Sequence, residues 1–190
     1  MPHPPADPRR PAPGTPPRAA GGPSRLADGP SRAADGPSRG RSLLMLLAFL
    51  GATAIAAGIG GMAAAGSQET YAALRLPAFA PPAWLFGPAW TVLYVLIAVA
   101  GWLVWRRAGA DRALALWCAQ LVLNALWTPL FFGADLYWLA FAEIVLLWVA
   151  ILACLVAFRA RRPMAALLLV PYLAWVSYAG ALNLGIALLN

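Results

Sequence analysis

Residues 136–158 read LYWLAFAEIVLLWVAILACLVAF, an apolar run whose only charge is Glu143 and which closes on the arginine-rich RARR at 159–162. A helix rises about 1.5 Å per residue, so a run of this length spans the roughly 30 Å hydrocarbon core of a bilayer. Backbone amides in lipid must be satisfied within the segment, which selects a helix. Four further runs have the same character, at about 42–66, 88–105, 113–132 and 164–189. With 62% hydrophobic and 11% charged residues, the chain lies far from soluble globular usage. The expected fold is an all-α integral membrane protein, a five-transmembrane-helix bundle over residues 42–190.

Residues 1–41 differ in kind. They are rich in Pro, Gly and Arg and repeat a seven-residue unit, GPSRLAD GPSRAAD GPSRGRS, with no large apolar side chain at regular spacing. Such a segment cannot offset its own ordering entropy, so a disordered, solvated basic tail is expected. Its charged stretch is too long for a secretory signal. No nucleic-acid partner is expected.

All fourteen basic residues are Arg. Seven lie in the tail, three in RRAGADR (106–112) and three in RARR, against only Arg75 in the first connection and none in the third. The positive-inside rule then puts the N-terminus in the cytoplasm and the first connection and C-terminus outside. Arg and Ala usage points to a GC-rich bacterial coding sequence, hence to a multi-pass protein of a bacterial cell membrane.

Several chemistries lack their central residue. The one His is His3, and there is no Lys, so a His-based triad, a His-ligated haem, a His-based metal site and Schiff-base chemistry are not expected. Cys118 and Cys154 sit inside spans, outside any CxxC pattern, and read as small buried hydrophobes. No metal and no obligatory cofactor is expected.

Aromatic and amide groups remain. Trp102, Trp105 and Trp138 lie near span ends and read as an interfacial belt; Trp117 reads as belt or packing. Trp148, with nothing polar beside it, reads as packing. Trp175 lies near mid-membrane, where its indole N–H needs a partner. In WCAQLVLNALWTPLFF (117–132), Gln120, Asn124 and Thr128 recur at i, i+4 and i+8, with Trp127 and Phe131 on the adjoining face. Trp175, Ala179 and Asn183 repeat the spacing on the fifth span. Interhelical glue is an alternative role for Gln120 and Asn183. Pro129 and Pro171 would kink their helices beside these stripes. Glu143 should face the bundle, either as a neutral acid bonded to a neighbour or in proton or ligand handling.

The first connection, about 67–88, is longer than a turn requires and contains FAPPAWLFGPAW (79–90). Prolines 77, 81, 82 and 88 stiffen it, and Tyr71, Phe79, Trp84, Phe86 and Trp90 give it apolar area. A rigid aromatic lid over an apolar pocket fits this composition.

Three stretches in order, YAALRLPAFAPPAWLFGPAWTVLY (71–94), QLVLNALWTPLFFG (120–133) and PYLAWVSYAGALNL (171–184), resemble the translocator protein or tryptophan-rich sensory protein family, also called the peripheral-type benzodiazepine receptor family. The resemblance covers about residues 42–190. It implies a membrane receptor or sensor that binds protoporphyrin IX or a related tetrapyrrole, cholesterol-like lipids and benzodiazepine-type drugs in a pocket beneath the first loop. It further implies a homodimer, for which span three, with Ala115 and Ala119, is the expected interface. By motif position the resemblance puts Tyr71, Pro81, Phe86, Trp90, Asn124, Trp127, Trp175 and Ala179 in or around the pocket, and the lid and stripe readings above add Trp84, Phe131 and Asn183 to the expected ligand-binding set. In bacterial relatives two pocket tryptophans are tied to light-dependent porphyrin breakdown; here they would be Trp90 and Trp175, the candidate catalytic pair of a weak enzyme. Animal members close on a Tyr and an Arg in a proposed sterol-recognition segment, and LNLGIALLN (182–190) has neither. Sensor, weak porphyrin-degrading enzyme and transporter of tetrapyrrole or lipid are the three readings; five spans do not divide into the matching halves common in transporters.

Overall fold

The computed structural model describes Met1 and residues 38–64 and 67–190, with the side chain of Gln68 outside that set. The tail expected over 1–41 lies mostly outside the described residues. Its last residues do not: Arg39 already opens the first helix, which the side chain of Ser38 caps by accepting from the Arg41 amide.

Six α-helices follow, α1 (Arg39–Ala63), α2 (Ser67–Ala73), α3 (Phe86–Ala108), α4 (Arg112–Thr128), α5 (Tyr137–Arg161) and α6 (Pro163–Leu189), with no strand among the described residues. Five of them, all but α2, are long and apolar enough to cross a membrane. The short α2 lies within what sequence reading treats as loop, and it is followed by a 3-10 turn, Ala83–Leu85.

The five long helices close into a ring in which α1 packs on α3, α3 on α6, α6 on α5, α5 on α4 and α4 on α1. Each turns only part of its surface inward. On α5 the buried positions Ala140, Ile144, Leu147, Ile151, Cys154 and Phe158 follow helical spacing, while Leu139, Leu146, Val149 and Val156 point out. This is the pattern of a bundle whose outer face meets an apolar solvent.

Gly101 lets α3 approach its neighbours closely: a Cβ there would lie 2.9 Å from the rings of Phe49 on α1 and Trp117 on α4. Trp117 is itself core, donating its indole N–H to the Ile97 carbonyl at 2.9 Å. Trp148, expected to pack without a polar neighbour, instead donates to the Ser177 hydroxyl at 2.9 Å and ties α5 to α6. Cys154 is buried as expected, but Cys118 is exposed on the outward face of α4. That face is simply the one opposite Trp117, Gln120 and Asn124.

Apart from Arg75, the described arginines gather at one end of the ring. Arg41 lies over the Trp105 ring and Arg106 over Trp102, at 5.8 and 4.9 Å from the ring centroids, and Trp102 also donates to the Ser42 carbonyl at 2.8 Å. Asp111 caps α4 by accepting from the Ala113 and Leu114 amides, and pairs with Arg161 at the end of α5. Burial alone would raise the Asp111 carboxyl; the hydrogen bond from Arg161, the two amides and the Arg161 charge outweigh it and hold the carboxyl below its usual value.

Pro129 does not kink a continuous helix. It ends the α-helical part of α4 and opens a π-helical turn, Pro129–Gly133. The chain then turns the corner through Asp135 at φ 54°, a left-handed conformation that Asp tolerates, and Tyr137 bonds back to the Asp135 carboxylate. Pro171 lies inside α6, and the helix continues through it.

Candidate functional site

At the end of the ring opposite the arginines, α1, α3 and α4 diverge around a cavity of about 380 Å³ that α2 and the 3-10 turn roof over. Three helices supply its walls by simple register. On α3, Phe86, Trp90 and Tyr94 recur every four residues; on α4, Asn124, Trp127 and Thr128 share a face; on α1, Ala57, Gly60 and Gly61, with the capping Ala64, form a wall of small residues. Ser67 and Tyr71 reach in from α2, and Phe132 from the π-helical turn. Several rim residues, Gly61, Gly87 and Thr91, are solvent-exposed on the bundle's side, so the cavity opens between the lid-proximal ends of α1 and α3.

The cavity is aromatic with a small polar floor. Trp90 lies over Tyr94, ring centroids 5.4 Å apart and tilted by 31°, and Trp127 stacks on Phe131 at 5.0 Å. The Tyr94 hydroxyl donates to Asn124 Oδ1 at 2.7 Å. One amide oxygen is therefore committed, while the Asn124 Nδ2 donor makes no hydrogen bond to the described residues. An apolar body with a hydrogen-bond acceptor at its edge fits such a surface.

A second, water-sized cavity of about 20 Å³ lies behind this one, lined by Phe131, Ala179, Leu182, Asn183 and Ile186. Tyr71, Phe86, Trp127 and Phe132 border both spaces and form the partition between them.

Of the eleven residues singled out from sequence, Tyr71, Phe86, Trp90, Asn124 and Trp127 line the main cavity, and Phe131, Ala179 and Asn183 line only the small one. Asn183 is fully engaged in joining helices: its Oδ1 accepts from Trp127 Nε1 at 3.0 Å and its Nδ2 donates to the Tyr137 carbonyl at 2.9 Å. It positions Trp127, with one bond made at each end of its amide. Pro81 lines neither space; its carbonyl accepts from the Tyr71 hydroxyl at 3.1 Å and holds the lid. Trp84 is 68% exposed and points away, because the 3-10 turn puts Ala83 inward in its place.

Trp175 also lies outside both cavities. It sits behind Phe86, edge-on with centroids 6.0 Å apart, and beside Tyr178. Its indole nitrogen is buried and without a partner. Gln120 is deeper still, spending its amide on the Trp117 carbonyl, so the polar stripe read on α4 enters the cavity only at Asn124 and Thr128.

Sequence reading missed the α1 wall, Tyr94 and Thr91. Tyr94 had a signal, four residues after Trp90 on the same helical face. On α1 the small residues Gly60 and Gly61 make room for the cavity.

The lid is tied to α6. Tyr178 donates to the Phe79 carbonyl at 2.8 Å, and the Asn190 side chain pairs with the backbone of Arg75 in both directions at 3.1 Å. Gly185 permits the contact: a Cβ there would meet Pro77 at 3.0 Å.

Comparison with known proteins bears on this arrangement. Residues 46–189 match the TspO/MBR family. The chain is 42% identical over 125 residues to the tryptophan-rich protein TspO of Archaeoglobus fulgidus, covering 65% of this chain and 81% of that one. It is 35% identical over 153 residues to protein CrtK of Rhodobacter capsulatus, 78% and 94% of the two chains, and 40% identical over 118 residues to the human translocator protein, 60% and 70%.

Proposed function

The chain belongs to the TspO/MBR family, as a multi-pass integral membrane protein, and from that premise we propose that it is a membrane receptor for apolar, planar ligands of the tetrapyrrole class. The observation that carries the reading is the roofed cavity whose walls are Phe86, Trp90, Trp127 and Phe132 and whose floor offers Asn124. Its volume of about 380 Å³ is at the small end for ligand pockets, so a full tetrapyrrole ring requires the partition at Phe86 to move or the ring edge to emerge between α1 and α3. The names of relatives, tryptophan-rich sensory protein of Cereibacter sphaeroides and translocator protein of sheep, agree with a sensing or carrying role.

Binding is favoured over chemistry because Trp90 and Trp175 do not share a cavity. Phe86 stands against Trp175, and oxidation drawing on both indoles would first require it to swing away. The arginine end faces the cytoplasm by charge placement, the lid faces outward, and the protein pairs with a second copy through the exposed α4 face of Ala115, Cys118, Ala119, Val122 and Leu126.

Titration of the detergent-solubilised protein with protoporphyrin IX, followed by tryptophan fluorescence in darkness, tests the reading. Saturable quenching that weakens more in Trp90→Phe than in Trp102→Phe is the expected result. Equal loss in both variants would remove the cavity from consideration. Illumination of the same samples separates the roles: conversion no faster than that of free porphyrin supports a receptor.

A further inference from the structure

One buried acid plays no part in the site described so far. Glu143 lies on α5, and both carboxyl oxygens are buried without any hydrogen-bond partner. Nearby on α6 the Tyr172 hydroxyl, in a side chain with no exposure at all, is equally unpartnered. Tyr172 packs edge-on against Trp90 of the main cavity's wall, ring centroids 6.1 Å apart, and lies near Asn124, Tyr94 and Glu143. Asn124 and Tyr94 are the polar floor of the main cavity. A line of polar groups, Asn124 and Tyr94, then Tyr172, then Glu143, thus leads from the cavity floor into the core between α5 and α6.

We propose that Glu143 is a proton-binding site whose occupancy is coupled to ligand in the cavity. The inference rests on the receptor reading above for the ligand, and on the buried carboxyl alone for the proton. A carboxylate in hydrocarbon surroundings, with neither cation nor donor, is far costlier than the neutral acid. Glu143 therefore favours the neutral acid wherever its carboxyl is dry, and ionises only when water reaches it through the floor of the cavity. An apolar ligand seated on Asn124 and Tyr94 closes that route. Binding then takes one proton from solution onto Glu143 wherever the empty protein holds it ionised, and affinity falls as pH rises.

No other group on the neighbouring helices accounts for such a dependence. α6 presents Tyr172 and Tyr178, α3 presents Tyr94 and α4 presents Cys118, and phenols and thiols as classes are uncharged near and below neutral pH. Cys154 on α5 itself is a buried thiol of the same kind. The ion pair Asp111–Arg161 closes the opposite end of the ring, and Asp135 is exposed at the corner before α5.

Pyrene, an apolar planar probe without a titratable group, tests the coupling by energy transfer from tryptophan in the intact protein across pH. In parallel, the infrared band of a protonated carboxyl in the ligand-free protein reads the acid directly. The expected result is a pyrene affinity that declines with rising pH by at most about tenfold per unit, the limit for one coupled proton. Glu143→Gln should hold the low-pH affinity at every pH and lose the acid band; Glu143→Asp, which still titrates, should keep the slope. A slope that is the same in Glu143→Gln, or absent from the parent, overturns the coupling while leaving the receptor reading intact. No pyrene binding at any pH, with protoporphyrin binding also absent, overturns the receptor reading and the coupling with it.

Discussion

Asn183 illustrates how one residue can look like a ligand contact in sequence and act as a clamp in the fold. Its spacing from Trp175 and Ala179 was legible, but which atoms its amide meets depends on where α4 and α5 arrive, and no local pattern encodes that. Both amide ends are spent on Trp127 and on the Tyr137 carbonyl. Replacing it with Leu leaves the Trp127 indole N–H without its partner, at about 1–3 kcal/mol. Asn183→Leu should therefore lower the thermal midpoint in detergent and weaken porphyrin binding indirectly, through a Trp127 ring no longer fixed. Asn124→Leu should do the reverse: bind more weakly with a smaller loss of stability, since only the Tyr94 hydroxyl loses a partner. Trp175 carries the complementary lesson. An indole N–H well inside a span is expected to have a partner, yet the structure leaves the Trp175 nitrogen without one, behind Phe86.

At the scale of elements, the five long helices were legible because spanning length and apolar continuity are local properties, and lipid permits few alternatives to a helix. The lid was legible as a stiff aromatic segment but not in orientation. The 3-10 turn decides that Ala83 faces in and Trp84 out, and a rotation of one residue would exchange them. Helix approach is testable at Gly101, where a Cβ collides with the rings of Phe49 and Trp117. Gly101→Ala should cost about 1–3 kcal/mol by overpacking, visible as a lowered unfolding temperature. At the start of α4, the Asp111 carboxyl is held below its usual value in the folded protein by Arg161 and two amides acting against burial. A depressed folded value means the stabilisation is complete above the ordinary carboxylate range and is lost as pH falls through the folded value. Acid titration of the parent should accordingly show a loss of stability that Asp111→Asn lacks, because its cap survives without a charge.

For the whole molecule, the ring of five helices with arginines at one end and a roofed cavity at the other gives each face a distinct solvent. On the outward face of α4, Ala115 and Ala119 sit one turn apart, exposed like Cys118. Ala115→Leu with Ala119→Leu should shift the protein toward monomer in light scattering; an unchanged dimer would move the contact to another face, with Gly58 on α1 the next candidate. The lid's fastening to α6 has a consequence in time as well as in shape. Asn190 grips the Arg75 backbone through side-chain atoms alone, by two hydrogen bonds, each worth about 1 kcal/mol net. A catch that weak releases by thermal fluctuation while the bundle beneath it stays closed, so the Arg75 amide becomes a clock for the roof. Its deuterium uptake should be faster than that of amides in the helix cores. In Asn190→Ala it should quicken together with the rate at which porphyrin arrives, if both wait on the same opening.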